Sequence, residues 1–292
     1  MKRTNVEEQV PVAGHFFLAF FFAVGFGLVR LMLEKFIQAL VDGKKIPLLD
    51  RHGRLRSKKI AKFKESLWKL VFYGATEMWI LGVILQESNY STTYTWEFFE
   101  GWPNQKLKSP VKFYYMAQCG FYVLSIVSLV GWEAPRKDLT AMISHHIITI
   151  MLITFSYFVR FIRVGTATLM LHDVSDVFLE AAKLFKYCGV QMGANICFVL
   201  FALSWLILRL ILFPLWIIKA TSYDTLKYAY TGVPNFALIY SVFNTMLITL
   251  LGLHVYWWFL ICQMILRQIK NRGNIENDIR SDSDEDEDRE EK

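Results

Sequence analysis

Seven stretches of apolar residues alternate with short polar segments along the chain. A transmembrane helix needs about 20 mostly apolar residues to cross the hydrocarbon core, and each stretch approaches or exceeds that length. The pattern therefore predicts an all-α polytopic membrane protein with about seven transmembrane helices. The predicted spans are His15–Glu34, Ser66–Leu85, Val111–Gly131, Leu139–Phe158, Val164–Ala182, Ala194–Ile218 and Phe236–Leu266.

The composition agrees with this pattern. Apolar residues make up 54% of the 292 residues, aromatic residues make up 16%, and the mean hydropathy is +0.32. These values exclude an ordinary soluble domain, and no nucleic-acid partner is expected. The cysteines have no C-x-x-C spacing, so neither a disulfide framework nor a zinc site is predicted. They are Cys119, Cys188, Cys197 and Cys262.

The lysine and arginine residues of the loops predict the orientation, because cytosolic loops carry an excess of them. Nine lie in the first loop, four more lie on the same side, and only six lie on the opposite side. The N-terminus is therefore predicted to be luminal and the C-terminus cytosolic. The thirteen residues are Lys44, Lys45, Arg51, Arg54, Arg56, Lys58, Lys59, Lys62, Lys64, Arg136, Lys137, Lys183 and Lys186.

Two kinds of modification fit this topology. Asn89 begins the sequon Asn-Tyr-Ser in a loop predicted to be luminal, which makes it a candidate for glycosylation. The C-terminal tail ends in the acidic sequence SDSDEDEDREEK, which is typical of a disordered segment. Within it, Ser281 and Ser283 precede acidic residues and are candidate sites for an acidophilic kinase. A tail that only increases solubility is the alternative.

Ionisable residues interrupt the fourth and fifth apolar stretches. Such groups are costly at membrane depth, so by default they mark a functional site. A polar cluster that only holds two helices together is the alternative. The residues are His145 and His146 in the fourth stretch, and His172, Asp173, Asp176 and Glu180 in the fifth.

The spacing of these residues predicts that they meet. His145 lies seven residues after Asp138, and Asp176 lies seven residues before Lys183. At 1.5 Å per residue, both lie about 10 Å inside their helices. Because the connection between the two helices is short, the helices run antiparallel. The depths of the two side chains are therefore counted from the same membrane surface. Both side chains are predicted to lie in the cytosolic half of the bilayer.

On the fifth span, a spacing of four residues places His172, Asp176 and Glu180 on one face. Asp173 shares that face more loosely. His254 falls in the seventh span and is predicted to lie apart from the cluster. The predicted site therefore combines the paired histidines of one helix with a histidine and carboxylates of the next.

Acid–base or nucleophilic chemistry suits this set better than a metal. A histidine acts as a general base or nucleophile near neutral pH, and a carboxylate can fix its tautomer or hold a cationic amine. Adjacent histidines on a helix point about 100° apart. The chain contains neither an HExxH nor an HxxHH pattern, so no metal is predicted.

Residues outside the cluster have two interpretations each. Arg136 and Lys137 lie two turns from the histidines and are candidates to bind the phosphates of coenzyme A. Their alternative role is the ordinary excess of cations in cytosolic loops. Tyr256 and Trp257 in the last span either line an acyl-chain tunnel or face lipid and neighbouring helices.

The region around the cluster resembles the longevity-assurance motif of ceramide synthases, which lies within the TLC domain. The long set of fixed spacings makes the resemblance far more specific than a histidine pair. The matching residues are Glu133, Arg136, Lys137, Asp138, Met142, His145, His146, Thr149, Ser156, Tyr157, Arg163, Gly165, His172, Asp173, Ser175, Asp176, Glu180, Lys183 and Tyr187.

The resemblance implies an endoplasmic-reticulum enzyme that joins a fatty acyl-CoA, as co-substrate, to the amine of a sphingoid base, with no other cofactor. It implies His145 and His146 as the catalytic pair, with Asp173 and Asp176 as required partners. His172 and Glu180 would support them. The TLC domain would span residues 58–270, between an N-terminal segment (1–57) and the tail (271–292). Six of the spans would enclose the acyl chain.

The absence of a homeobox-like insert makes the chain more similar to plant or fungal members. A non-catalytic TLC protein that senses or moves lipids is the main alternative, and an elongase-like enzyme would need the absent HxxHH box. Besides its substrates and membrane lipids, a dimer partner or small regulatory subunit is possible. Acyl-chain selectivity is expected to depend on tunnel depth, set by the last two spans and their luminal loop.

Overall fold

The chain is helical in the part that the structure describes. This computed structural model describes residues 11–42, 53–86, 94–131, 133, 136–229 and 235–270, with only the backbone for 53–58. Asn89, Ser281 and Ser283 lie outside these ranges. The long helices are α1 (Phe16–Asp42), α2 (Gly53–Gln86), α3 (Ser109–Gly131), α4 (Leu139–Phe158), α5 (Ile162–Tyr187), α6 (Gln191–Ser204, continued as a π-helix through Trp205–Ile218 and Ala220–Ala229) and α7 (Phe236–Lys270).

Six segments of the described chain are helical, long and apolar enough to cross a membrane. This result, together with the absence of strands among the described residues, confirms the prediction of an all-α polytopic membrane protein. The segments are Ala13–Asp42, Lys59–Gln86, Ser109–Gly131, Leu139–Phe158, Gln191–Lys227 and Phe236–Lys270.

Helix α5 is not in this set because of its many ionisable residues. Its 26 residues are nevertheless long enough to cross, at about 1.5 Å each, and short connections join it to α4 and α6. It packs mainly against α2 and α6. A helix surrounded by protein can carry polar residues at membrane depth, because neighbouring helices supply their partners.

Several helices extend further than the apolar pattern predicts, and α1, for example, continues to Asp42 rather than ending near Glu34. Helix α2 begins at Gly53 rather than near Ser66, because its basic first turns contain good helix formers. The sixth span becomes a π-helix at Trp205 and passes Pro214 without ending. It then continues beyond the predicted end at Ile218 to Ala229. The wider hydrogen-bonding pattern accommodates the proline without ending the helix.

Helices α1 and α3 approach each other closely at Gly120. A Cβ atom added there would lie 2.6 Å from the carbonyl oxygen of Ala19. Small residues allow such close backbone approach between membrane helices, where dispersion forces drive association. Gly120 is therefore required by the packing of α1 on α3.

One end of the bundle is closed by the segment that precedes α3. The indole of Trp102 donates a hydrogen bond to the carbonyl oxygen of Val159 (2.8 Å). The guanidinium groups of Arg160 and Arg163 donate to the carbonyl oxygens of Pro103 and Glu97, both at 3.0 Å. These bonds hold the segment over the turn between α4 and α5.

We expect Gly120→Ala to lower the thermal unfolding temperature of the purified protein, because the methyl group would push α1 away from α3. Gly74→Ala is the matched control, since nothing lies within 4 Å of the position of its Cβ atom. Thermal unfolding in detergent, followed by size-exclusion chromatography, measures both. Equal unfolding temperatures for the two variants would contradict the assigned packing.

Candidate active site

His145 and His146 are buried on α4 and face different neighbours. The ring centroid of His145 lies 5.4 Å from that of Trp257 and 6.3 Å from that of His172. The ring of His146 instead lies 5.4 Å from that of Tyr122. The Nδ1 atom of each histidine has no hydrogen-bond partner among the described residues. Each imidazole therefore has a buried nitrogen that no described residue engages.

His172 and His254 form a hydrogen-bonded pair. The Nδ1 atom of His172 lies 2.6 Å from the carbonyl oxygen of Thr168, and the two Nε2 atoms lie 2.9 Å apart. Since a carbonyl only accepts, His172 donates from Nδ1 and must accept at Nε2 from His254. The expectation that His254 lies apart is not met, because α7 packs against α4 and the π-helical part of α6, which brings His254 onto His172.

Arg209 on α6 is a site residue that sequence reasoning missed. Its guanidinium donates to Oδ2 of Asp176 (2.8 Å), Oγ of Ser175 (2.9 Å) and the carbonyl oxygen of His172 (2.6 Å). Its Cζ atom also lies 4.0 Å from the ring centroid of Trp205. One arginine thus fixes Asp176 beside the histidines.

A sequence signal for Arg209 existed. It is the only charged residue in a run of apolar residues from Phe198 to Ile218, and a charge at membrane depth marks a functional site by default. Its partner could not be read from the sequence, since Asp176 lies on a different helix.

Asp173 faces a different side of α5 from Asp176. It is fully buried, and the side-chain amide of Gln118 on α3 donates to its Oδ2 atom. Asp173 and Asp176 are three residues apart and therefore project about 60° apart around the helix. This angle is enough for Asp173 to contact α3 and Asp176 to contact α6.

A cavity with about 730 Å³ of empty space, here called the polar cavity, contains the paired histidines. It is lined by residues from α2 to α7 and from the segment before α4. The lining residues are Lys69, Tyr73, Tyr122, Ser125, Leu129, Glu133, Arg136, Met142, His145, His146, Asp176, Leu179, Glu180, Lys183, Trp205, Arg209 and Trp257.

Ion pairs surround the polar cavity at the ends of α2 and α5. The ammonium group of Lys69 lies 3.0 Å from a carboxylate oxygen of Glu133 and 2.6 Å from one of Glu65. Arg136 lies 3.3 Å from Glu65, and Lys183 lies 2.8 Å from Glu180 on the same helix. The cavity therefore has cations that are balanced by carboxylates.

The sequence candidates near this cavity separate into two groups. Arg136 lines it, whereas Lys137 is exposed and outside the lining. Trp257 is 3% exposed, lines the cavity and donates to Oδ2 of Asp138 (3.0 Å). Tyr256 is 43% exposed and lies outside the lining. Arg136 and Trp257 therefore line the polar cavity, whereas Lys137 and Tyr256 do not.

A second cavity, here called the apolar cavity, has about 440 Å³ of empty space. Tyr122 lines both cavities, and His172 lines the apolar cavity at the same end as Tyr122. The other lining residues come from α3, α4, α5 and α7. They are Tyr115, Thr149, Leu152, Ile153, Ser156, Gly165, Thr168, Leu169, Phe243, Leu247 and Leu250.

Among the described residues, no group of three or more His, Cys, Asp and Glu side chains is arranged to hold a metal ion. The site contains two imidazoles whose Nδ1 atoms have no partner among the described residues, a carboxylate held by an arginine, and an adjoining apolar cavity.

Comparison with known proteins identifies the family. Residues 62–263 match the family model described as the TLC domain. The chain is 48% identical over 279 residues to ceramide synthase LOH2 of Arabidopsis thaliana, covering 94% of this chain and 93% of that protein. The chain belongs to the ceramide synthase family. It is also 42% identical to ceramide synthase LOH1 of the same plant (94% and 91% covered) and 35% identical to ceramide synthase 4 of Mus musculus (80% and 58%).

In this member of the ceramide synthase family, five of the six ionisable residues singled out from the sequence line a cavity. His145, His146, Asp176 and Glu180 line the polar cavity, and His172 lines the apolar cavity. The sixth residue, Asp173, lies between α3 and α5.

The buried Arg209–Asp176 pair predicts non-additive effects on stability. Removing one partner of a buried pair leaves the other charge uncompensated, which lowers the free energy of unfolding by about 3 kcal/mol or more. We therefore expect Asp176→Asn and Arg209→Gln each to lower the unfolding temperature. The double variant should be more stable than the sum of the two single effects predicts, as measured by thermal unfolding in detergent.

Asp42→Asn is a matched control for this cycle. Asp42 is exposed and, among the residues that the structure describes, accepts a hydrogen bond from Gln38 within α1. Its substitution should leave the unfolding temperature within a degree or so of the intact protein, because exposed polar substitutions change stability by about 0.5 kcal/mol or less. Strict additivity of the two site variants would show that their charges do not interact.

Proposed function

We propose that this protein transfers a fatty acyl group from acyl-CoA to the amino group of a sphingoid base, producing a ceramide and coenzyme A. Relatives that match nearly the whole chain are named ceramide synthases. The observation that supports it best in the structure is the junction of a polar and an apolar cavity beside His145 and Tyr122. Such a junction suits a substrate with a polar reacting end and a long hydrocarbon chain.

The substrate's two ends are proposed to enter different cavities. The acyl chain lies in the apolar cavity, since burial of its methylene groups is favourable by about 0.8 kcal/mol each. The thioester lies at the junction, next to His145, and the coenzyme A moiety extends through the polar cavity. Arg136 and Lys69 at its edge then meet the phosphates.

His145 is proposed as the reacting residue, because its ring adjoins His172 and Tyr122, which line the apolar cavity. An imidazole nitrogen attacks the thioester carbonyl, so that a C–N bond forms and the C–S bond breaks. The proton of the acylated imidazolium passes to the departing thiolate. The products of this half-reaction are acyl-imidazole and coenzyme A.

The amine then completes the transfer. The sphingoid base arrives as an ammonium, and His146, the second base in the polar cavity, accepts its proton. The free amine attacks the acyl carbonyl, the amide C–N bond forms, and His145 leaves with the second amine proton. Direct attack of the amine on the thioester, with His145 as general base, is the alternative route.

Asp176 and Arg209 are proposed to shape the electrostatics of this step. Asp176 lines the polar cavity as a carboxylate that can hold the incoming ammonium. Arg209 keeps that carboxylate in place (2.8 Å) and bonds the backbone of His172. Both therefore act on the orientation of groups around His145.

The proposed location is the endoplasmic-reticulum membrane, with the N-terminus luminal and the C-terminus cytosolic. The excess of loop cations on one side supports this orientation, and the polar cavity lies towards that side, beside Arg136 and Lys183. Cytosolic acyl-CoA would then reach the histidines directly. Association with a second copy or a small regulatory subunit stays a prediction.

We expect His145→Ala and His146→Ala to abolish ceramide formation, since each removes a base from the polar cavity. The assay uses microsomes from cells without endogenous synthase, supplied with acyl-CoA and sphinganine. If the acyl-enzyme route holds, intact mass measurement after addition of acyl-CoA alone detects an acyl group on the intact protein and none on His145→Ala.

His15→Ala is the matched control, because His15 lies outside both cavities and bonds Tyr157 (2.6 Å) at the far end of the bundle. It should retain most activity. Well-expressed intact protein that formed no ceramide would contradict the proposed function and favour a lipid-sensing role. An active protein without an acyl adduct would favour direct transfer.

Arg136→Ala should raise the KM for acyl-CoA by about tenfold or more with a smaller effect on kcat, because a charge-assisted phosphate contact is worth about 1.5–3 kcal/mol. Lys137→Ala is the neighbouring control, since its side chain is exposed and outside the polar cavity. Steady-state kinetics with varied acyl-CoA measure both. Equal KM values for the two variants would remove Arg136 from the proposed phosphate contacts.

A further inference from the structure

Tyr122 is a buried tyrosine on α3 at the junction of the two cavities. Of the described residues that line the polar and apolar cavities, it is the one that lines both. Its ring lies edge to face with that of His145, with 6.3 Å between the centroids, and its centroid lies 5.4 Å from that of His146. Tyr122 is therefore placed where the thioester of an acyl-CoA would meet His145.

The hydroxyl of Tyr122 has no hydrogen-bond partner among the described residues. A buried tyrosine hydroxyl usually has one. Two other buried tyrosines do: Tyr115 donates to the carbonyl oxygen of Ile162 (2.9 Å), and Tyr157 bonds Nδ1 of His15 (2.6 Å). The Tyr122 oxygen is also not enclosed by protein, in contrast to the unpartnered Nδ1 atoms of the paired histidines. It therefore faces cavity space that a ligand can fill.

The other hydroxyl and indole donors of the two linings are already used. The serine and threonine hydroxyls donate to carbonyl oxygens of the preceding helical turn, and the two indoles donate to His254 and Asp138. These donors are Ser125, Thr149, Ser156, Thr168, Trp205 and Trp257. Tyr73 is the exception, but it lines the polar cavity and not the apolar one. Tyr122 is therefore the hydroxyl donor at the junction.

The cations of the polar cavity face carboxylates. Lys69, Arg136 and Lys183 do so at the ends of α2 and α5, and Arg209 pairs with Asp176. These four residues line the polar cavity but not the apolar one. A hydrogen bond to an oxygen at the junction would therefore come from a neutral group. Such a donor suits a carbonyl oxygen, which is uncharged in the substrate and becomes negative only during attack.

We propose that Tyr122 is a catalytic residue whose hydroxyl donates a hydrogen bond to the carbonyl oxygen of the acyl group. This inference rests on the proposed acyl transfer. As His145 attacks the thioester, the C–N bond forms and the π electrons of the C=O bond move to oxygen. The hydroxyl proton stays on Tyr122 and stabilises this oxyanion. Collapse re-forms the C=O bond and expels the thiolate, which takes up the proton of the acylated imidazolium.

The same hydroxyl serves the second half of the reaction. Attack of the amine on the acyl-imidazole again places a negative charge on the acyl oxygen, and collapse releases the imidazole of His145 and the amide. In the direct route the oxyanion forms on the same oxygen, so the role of Tyr122 is the same in both routes. A donor aimed at a developing charge acts mainly on kcat, because it binds the uncharged carbonyl more weakly.

Tyr122→Phe tests this role, because it removes the hydroxyl and keeps the ring. We expect kcat for ceramide formation to fall about a hundredfold, as is typical when one oxyanion donor is lost, with the KM for acyl-CoA changed by about threefold or less. The unfolding temperature should not fall, since the hydroxyl bonds no described residue. Tyr73→Phe should lower kcat much less, and the reverse order would overturn the assignment to Tyr122.

Tyr157→Phe is the matched control for the loss of a buried tyrosine hydroxyl. It removes the bond to His15 outside both cavities, so it should lower the unfolding temperature and retain most of kcat. A purely structural role of Tyr122 would give this same pattern. A Tyr122→Phe variant that loses stability but keeps the kcat of the intact protein would therefore overturn the inference.

Infrared spectroscopy of bound acyl-CoA separates this inference from the proposed function. In purified His145→Ala protein the thioester stays intact, and palmitoyl-CoA labelled with ¹³C at the carbonyl carbon reports its hydrogen bond without turnover. The carbonyl band should lie at lower frequency in His145→Ala than in the double variant with Tyr122→Phe. This shift, together with absence of ceramide from the intact protein, would contradict the proposed function alone. The same band frequency in both variants would overturn the role of Tyr122.

Discussion

The structure depends on the burial of ionisable groups in a helix that lies at membrane depth. Helix α5 carries His172, Asp173 and Asp176, and none of these can face lipid at an acceptable free energy. Each therefore has a partner on another helix: His254 on α7, Gln118 on α3 and Arg209 on α6. These contacts place α5 inside the bundle, between α2 and α6. The requirement to satisfy polar groups thus determines which helices surround the site.

The same arrangement produces two cavities of different character on adjoining faces of α4 and α5. Towards Arg136 and Lys183 the walls carry charges in balanced pairs, and towards Ser156 and Gly165 they are mostly apolar. The ring of Tyr122 separates them and contacts both histidines of α4. An acyl thioester has the same division between a charged carrier and a hydrocarbon chain, so its reactive carbon would lie where the cavities meet.

The sequence predicted the features that depend on local periodicity. The spans followed from apolar length, and the equal depth of His145 and Asp176 followed from the rise of antiparallel helices, as their shared cavity shows. It did not predict Arg209 or His254 at the site, because the rotation of α6 and α7 about their axes depends on packing. Helical spacing also did not show that Asp173 contacts α3 whereas Asp176 contacts α6. The helix that each residue meets depends on how the helices pack. The apolar cavity could not be predicted because it combines residues of four helices.

The two aspartates consequently have different physical roles, although the family resemblance implies that both are required. Asp176 lines the polar cavity and acts near the histidines through Arg209. Asp173 is outside both linings and bonds Gln118, which lies on α3 between Tyr115 and Tyr122. Tyr115 lines the apolar cavity, and Tyr122 lines both cavities. Loss of Asp173 would therefore act through the position of α3, and so on the fit of the acyl chain as well as on the rate. A requirement for a residue in activity does not by itself place that residue at the reacting atoms.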